Sequence, residues 1–417
     1  MVPSISARIF YMGLMFLAGV LLAAIARPHD FGSISIIILN ATLFYTLSGL
    51  GSESAILLSI GKKQWPVGKA TTSIGYSFVF QFLVFAFLQW VLVTYGGKSL
   101  LSFKATDLLV YEFFYFTGLM LVEKYTVLFY AYNKAWICNI LLSFSAFAYL
   151  ASMLAFYFNW LKIDFHPFVI VALVTLVQGA VLITVFHLLK GISFVSLDRE
   201  DWKGIFSIST LVLASNLVQL VAYRFDYWFM EAVLSTSEVG IYAQANRFAQ
   251  LIWALPNIVS FILIPKLFKE ESPGRFLSVL NTLNVSNLAI SLAVMMISMF
   301  FYQMVLPSDY KDGLYLLFLM LPGYFLFACS IPIAAYFSTK GLLRLNLFGS
   351  ILCLVLVVVL DIILIPLFGY WGAALGNLVA YSASALYLIF SLRNNSAVSI
   401  FSLLKLRFQY NMFNEFK

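Results

Sequence analysis

Charge is what this chain has least of. Only 10% of its 417 residues are Asp, Glu, Lys or Arg, while 62% are hydrophobic; an ordinary soluble domain carries about 25% charged residues. A water-soluble enzyme of this length could not cover so many apolar side chains, and a disordered chain needs the opposite balance. Cysteine is almost missing. Cys138, Cys329 and Cys353 each lie in an apolar stretch and form no C-x-x-C, so neither a disulfide framework nor a thiolate metal site is indicated. The three histidines, His29, His166 and His187, are far apart and lack metal-ligand spacing. There is no G-x-S-x-G, no H-E-x-x-H and no phosphate-binding G-x-x-x-x-G-K-[ST]; Gly97-Lys98-Ser99 has Leu92 where the first glycine belongs. The chain is therefore expected to be no enzyme and to carry no cofactor and no metal. The net charge of +7 does not signal nucleic acid, because the basic residues are spread thinly between apolar runs.

What is present is long apolar runs, with a mean hydropathy of +0.96. About 20 apolar residues cross a bilayer core, and such stretches occur at approximately 5–26, 32–58, 71–95, 106–131, 135–158, 167–189, 205–231, 239–265, 279–302, 313–338, 344–366 and 370–391. Barrel strands would be shorter and would alternate in polarity. The expectation is an all-α polytopic membrane protein of twelve transmembrane helices. Arg8 and the run ending in Ala24-Ile25-Ala26 have the look of a signal peptide, but an internal repeat requires this segment as the first span. With the N-terminus placed inside, seventeen of the 25 Lys and Arg fall on the cytoplasmic side and five outside, with Lys124, Arg224 and Arg247 within spans. That bias puts both termini in the cytoplasm.

The repeat has a displacement of 208 residues, which carries spans three, four and five onto spans nine, ten and eleven. Asp30-Phe31-Gly32 before span two echoes Glu238-Val239-Gly240 before span eight, and Lys62-Lys63 falls on Glu270-Glu271. Six spans per half insert the same way up, so two parallel six-helix lobes around a central cavity are expected. Their bounds are 1–192 and 204–393, joined by a cytoplasmic linker at 193–203 and followed by a cytoplasmic tail at 394–417.

Ionisable groups inside spans are costly and default to a functional reading. Span seven carries Asn216, Gln219, Tyr223 and Asp226 along one helical stripe, with Arg224 beside it. Span eight carries Arg247, Gln250 and Asn257 on another, and span four carries Glu112, Glu123 and Lys124. Each has two readings, a structural ion pair (Asp226 with Arg247, for example) or a cavity group. Together, two arginines and a lysine among polar stripes suit an anionic, hydroxyl-rich substrate. Tyr223, Tyr227, Trp228 and Tyr242 read either as sugar-stacking platforms or as an interfacial aromatic belt. Asp361, shortly before Pro366, either lines a cavity or caps a kink, and Glu53 reads as a solvated residue near a span end.

Several short motifs resemble the MOP exporter superfamily, and within it the O-antigen-type (Wzx) flippases. They are Ala26-Arg27-Pro28-His29-Asp30-Phe31-Gly32, Leu47-Ser48-Gly49-Leu50-Gly51-Ser52-Glu53-Ser54-Ala55, Asp226, and Ser237-Glu238-Val239-Gly240-Ile241-Tyr242-Ala243-Gln244-Ala245 through Pro256 to Ile264-Pro265-Lys266. The resemblance implies a MATE-like fold in a bacterial cytoplasmic membrane. It also implies a flippase that moves an undecaprenyl-diphosphate-linked oligosaccharide, an O-antigen or lipopolysaccharide repeat unit, by alternating access. By position, Arg224, Arg247 and Lys124 would be the cavity cations. Asp226, with the polar Asn216, Gln219, Gln250, Asn257 and Glu123, would serve the cavity or its coupling to a proton or sodium ion. Polysaccharide polymerase and chain-length proteins would be partners. The competing readings are an ion-coupled multidrug antiporter, disfavoured because 9–26 carries no acidic residue, and a membrane-embedded polymerase, disfavoured by short outer loops.

A phosphatase reporter fused after the last span is expected to be inactive, and one fused near Lys98 active. An active C-terminal fusion would contradict an even number of spans.

Overall fold

The computed structural model describes residues 2–63, 65–102, 106–162, 165–193, 195–267 and 273–395. The expected tail lies outside the described residues from position 396, as do Lys269, Glu270 and Glu271. Every regular element among the described residues is helical. The chain divides into two compact units, Met1–Leu220 and Val221–Lys417, with the division inside one long helix.

The first unit holds α1 (Val2–Gly49), α2 (Ser52–Lys63), α3 (Val67–Gly96), α4 (Leu109–Ala131), α5 (Ala135–Tyr157), α6 (Phe168–Lys190) and the start of α7 (Arg199–Val233). The second holds the rest of α7, then α8 (Thr236–Ala249), α9 (Leu251–Leu267), α10 (Pro273–Met304), α11 (Lys311–Thr339), α12 (Leu343–Phe368) and α13 (Tyr370–Asn395). Among the described residues, eight helices are long and apolar enough to cross a membrane. Helix α4, of 23 residues, is not among them: Glu112, Glu123 and Lys124 lie along it.

Two spans depart from expectation. The second, expected at 32–58, stops at Gly49, because Leu50 (φ 51°) and Gly51 (φ 72°) are both left-handed and a right-handed helix cannot pass through them. Its remainder becomes the start of α2. The eighth, expected at 239–265, breaks at Gln250 into α8 and α9, in the turns ahead of Pro256, whose ring and missing N–H weaken a helix. The first two spans are contiguous in α1 and are separated only by a kink at Arg27 (φ 58°, ψ 171°), next to Pro28.

The internal repeat survives in the helix boundaries. Displacing α3 by 208 gives 275–304 against Pro273–Met304, and displacing α5 gives 343–365 against Leu343–Phe368. The packing repeats as well: α4 lies on α6 in the first unit, as its counterpart α11 lies on α13 in the second. The first of these contacts depends on glycine. A Cβ at Gly118 would stand 2.5 Å from the backbone of Thr175 and Leu176, and one at Gly179 would stand 2.6 Å from Leu121 Cβ.

Helix α12 shows how a membrane helix divides its faces. Leu347, Ile351, Val355, Val359 and Ile362 form an exposed apolar stripe, while Gly349, Cys353, Val357, Asp361 and Ile365 form the buried one. The exposed stripe would be an aggregation surface in water and is the expected lipid-facing surface in a bilayer. Asp361 lies on the wrong face for a solvated carboxylate.

The expected linker is docked on the first unit. Thr71 Oγ1 donates to Ser193 O at 2.7 Å, and Val195 N–H donates to Thr72 Oγ1 at 3.0 Å. Lys69 Nζ reaches Asp201 at 2.7 Å and Asp198 at 3.2 Å. Asp198 also caps α7, accepting from Asp201 N–H at 2.8 Å. The Asp201 N–H and then Lys69 hold the Asp198 carboxyl below its usual range. This contribution is complete above the ordinary carboxylate range and is lost as pH falls through the lowered value.

Gly118→Ala is expected to lower the melting temperature of the purified protein, by the about 1–3 kcal/mol that overpacking costs. Gly75→Ala, where nothing lies within 4 Å, is the matched control and should be neutral or slightly stabilising. Equal melting of the two variants would contradict the close α4–α6 contact.

Candidate functional site

The second unit buries a carboxylate network centred on Asp226. The helical stripe that begins with the exposed Asn216 and Gln219 ends at Asp226, which has no accessible surface. Asp226 Oδ1 accepts from Tyr227 N–H at 2.9 Å. Oδ2 accepts from Asn377 Nδ2 at 3.0 Å and from the Tyr242 hydroxyl in a shorter bond. Asn377 Nδ2 also lies 2.5 Å from the Tyr242 oxygen. Helices α7, α8 and α13 thus converge on one carboxylate.

Helix α12 brings a second. Asp361 is fully buried, and neither of its oxygens has a hydrogen-bond partner. It fits against α13 because residue 376 is glycine; a Cβ there would stand 2.7 Å from Asp361 Oδ1. The next residue is Asn377, whose Oδ1 is also without a partner. Asp361 lies within electrostatic reach of Asp226. Two carboxylates set together away from water cannot both stay charged uncompensated. Orphaned carboxylate and amide oxygens form a donor set that meets this need with a proton or with a hard cation. No group of three His, Cys, Asp or Glu that could hold a metal ion occurs among the described residues.

Arg224 stands beside this network on α7. Its guanidinium lies 5.3 Å from the Tyr227 ring centroid and donates to Gln250 Oε1 at 3.4 Å. Gln250 Nε2 donates to Asn246 Oδ1 at 2.9 Å, and the Tyr324 hydroxyl donates to the same oxygen at 2.5 Å. Trp253 stacks on Tyr324 at 4.6 Å, and Tyr381 meets Tyr324 edge-on at 5.1 Å. Arg247 is half-buried on α8, in electrostatic reach of Tyr227. Asn257 is exposed on α9 and donates to Trp253 O at 2.9 Å.

The first unit has its own cluster. Lys124 is buried to 1% exposure, and its Nζ donates to Glu53 Oε1 and to Ser77 Oγ, each at 2.8 Å. Its neighbour Glu123 is exposed and lies in electrostatic reach of Arg8, Glu53 and Lys124.

The structure therefore brings Arg224, Asp226 and Gln250 into one region of the second unit, and places Lys124 and Glu123 together in the first. Asp226 has Tyr242 and Asn377 as bonded partners where the sequence suggested Arg247. Tyr227 and Tyr242 are buried among protein groups rather than open to sugars, because Tyr242 is committed to Asp226. Three residues of the carboxylate network, Tyr242, Asn377 and Asp361, were not recognised as a group. In the sequence Tyr242 reads as an aromatic platform or belt residue and Asp361 as a lone carboxylate in an apolar run, while Asn377 carries no signal.

No protein-family model matches the chain, and no curated protein matches it in sequence. Solved structures do match. The lipid II flippase MurJ in an inward closed conformation aligns with a TM-score of 0.75 at 16% identity, over 97% of this chain and 90% of that one. An inward-facing multidrug resistance MATE transporter of the MOP superfamily aligns at 0.65 and 14%, over 94% and 96%. A MOP superfamily transporter from Pyrococcus furiosus, whose binding pocket is described as reversed in polarity, aligns at 0.54 and 14%, over 97% and 95%. At these identities the likeness establishes the fold. The chain is an all-helical polytopic membrane protein with the architecture shared by MurJ and the MATE transporters.

The paired carboxylates predict that the purified protein melts at a higher temperature in sodium than in choline chloride, or on acidification from about pH 8 to about pH 6. Asp361→Asn should remove that dependence. Identical melting of wild type and variant under all of these conditions would contradict the shared-cation reading.

Proposed function

We propose that the chain is a membrane transporter that flips an undecaprenyl-diphosphate-linked oligosaccharide, a surface-polysaccharide unit, to the outer leaflet of a bacterial cytoplasmic membrane, with both termini in the cytoplasm. The observation that carries this reading is a guanidinium, Arg224, held at Gln250 beside a buried carboxylate network in a membrane fold. A guanidinium suits a phosphate because it offers paired donors in a plane, and the adjoining amides suit sugar hydroxyls. Arg247 on α8 adds a second cation. A fold shared with a lipid II flippase supports a lipid-linked substrate.

Energy enters through Asp226 and Asp361. A proton or sodium ion taken up by the pair changes the charge next to Arg224 and so changes how strongly that arginine attracts an anion. Ion uptake and substrate release are coupled when the two states differ in their affinities for both. The same acidic pair favours a second reading, an ion-coupled multidrug antiporter, which the MATE-like fold supports. The arginines distinguish the two, since a cationic drug gains nothing from them.

Arg224→Ala and Arg247→Ala are each expected to abolish surface glycan in cells while leaving membrane insertion unchanged, as judged by surface-glycan staining beside immunoblots of the membrane fraction. Normal glycan display in both variants would sink the reading.

A further inference from the structure

We infer that the Lys124 cluster of the first unit is an anion-exchange seat in which Glu53 is the resident anion, displaced when a doubly charged phosphate or diphosphate group of the substrate arrives. The inference rests on the proposed transport of a lipid diphosphate and assigns that substrate group a place in the first unit.

The geometry is that of an occupied oxyanion site. One carboxylate oxygen, Glu53 Oε1, accepts from Lys124 Nζ at 2.8 Å and from the Tyr45 hydroxyl at 2.8 Å. These donors come from α4 and from the end of α1, and they converge on a single oxygen position. Lys124 keeps a second bond, to Ser77 Oγ on α3 at 2.8 Å, and lies 5.5 Å from the Tyr45 ring centroid. The ammonium thus stays in place when Glu53 leaves. A phosphate oxygen put where Glu53 Oε1 stands would meet the same two donors.

Glu53 is the member of the pair able to yield. Its side chain is 17% exposed against 1% for Lys124. It lies in the first turn of α2, directly after the left-handed Leu50 and Gly51 that separate this helix from α1. Lys124 lies in the middle of α4, which is locked to α6 through Gly118. One side of the pair is fixed and the other is carried on a separate short helix.

Charge explains why such a seat would select its ligand. Glu123 lies in electrostatic reach of Arg8, Glu53 and Lys124, and the formal charges of these four groups sum to zero. A neutral cluster does not attract anions from a distance, and a single carboxylate arriving at Lys124 only replaces an equivalent one that is already tethered. A dianion gains more from the ammonium than Glu53 does. The seat therefore passes over acidic monosaccharides and accepts phosphate.

The test is binding of inorganic pyrophosphate, as its potassium salt, to the purified full chain in nanodiscs at constant ionic strength, followed by isothermal titration calorimetry. Glu53→Gln is expected to bind pyrophosphate about ten-fold more tightly than wild type, since the tethered competitor loses its charge. Glu53→Asp, which keeps the charge but draws the oxygen back, should fall between the two and covers the case in which the amide variant does not fold. Adding Lys124→Gln to Glu53→Gln should erase the gain, and potassium glucuronate should not bind wild type or Glu53→Asp measurably and should bind Glu53→Gln more weakly than pyrophosphate does. Equal affinity in wild type and both Glu53 variants, or a gain that persists without Lys124, would overturn the assignment. Either outcome leaves the Arg224 and Arg247 glycan-display result standing, so the two ideas fail separately.

Discussion

The structure depends on the cost of placing charge where water is absent. A carboxylate moved out of water carries a penalty of several kcal/mol even after its surroundings relax. Asp226 offsets that penalty with three donors from α7, α8 and α13. Those three helices are consequently tied at one point, and the position of Arg224 follows from theirs. Asp361 has no such compensation. A buried carboxylate without a partner persists only if a proton or cation accompanies it for part of its working life, and this requirement supports the proposed role of the network in coupling.

The two units handle the same problem differently. In the first, Lys124 is compensated within the protein by Glu53, Ser77 and the face of Tyr45, giving a closed and neutral arrangement. In the second, compensation is incomplete at Asp361, while Arg224 is held by the neutral Gln250. A duplicated fold thus carries unequal chemistry: one copy holds a compensated ion pair, the other a buried carboxylate with no hydrogen-bond partner. The backbone equivalence of α3 with α10 and of α5 with α12 shows how little of this difference resides in the helices themselves.

The fold was readable in the sequence because a bilayer imposes its own thickness on each helix, so the bounds of α5 and α6 agree with the apolar runs to within a residue or so. The errors lie where local backbone chemistry overrides hydropathy, at the Leu50–Gly51 turn and at the Gln250 break. The site was only half readable. Asp226 and Arg224 announce themselves as charges in apolar surroundings, but Asn377 is one polar residue among many and sits 151 positions from the carboxylate it serves. Glu53 reads as solvated in the sequence because its partner, Lys124, is 71 residues away. Pairing across such distances is decided by helix packing, which periodicity within a single span does not reveal. Gly376 illustrates the point: its function is to be absent from the space Asp361 occupies.

The central claim is that buried acidic groups drive movement of an anionic lipid-linked sugar. It is tested most directly in liposomes containing the purified chain and a fluorescent polyprenyl-diphosphate-linked oligosaccharide loaded in one leaflet, with an impermeant lectin reporting arrival in the other. The account predicts sugar arrival that speeds up under an imposed proton or sodium gradient with wild type, and arrival no faster than in protein-free liposomes with Asp226→Asn. Equal rates for wild type and Asp226→Asn, or a wild type that moves a lipophilic cationic dye and leaves the lipid-linked sugar in place, would contradict it.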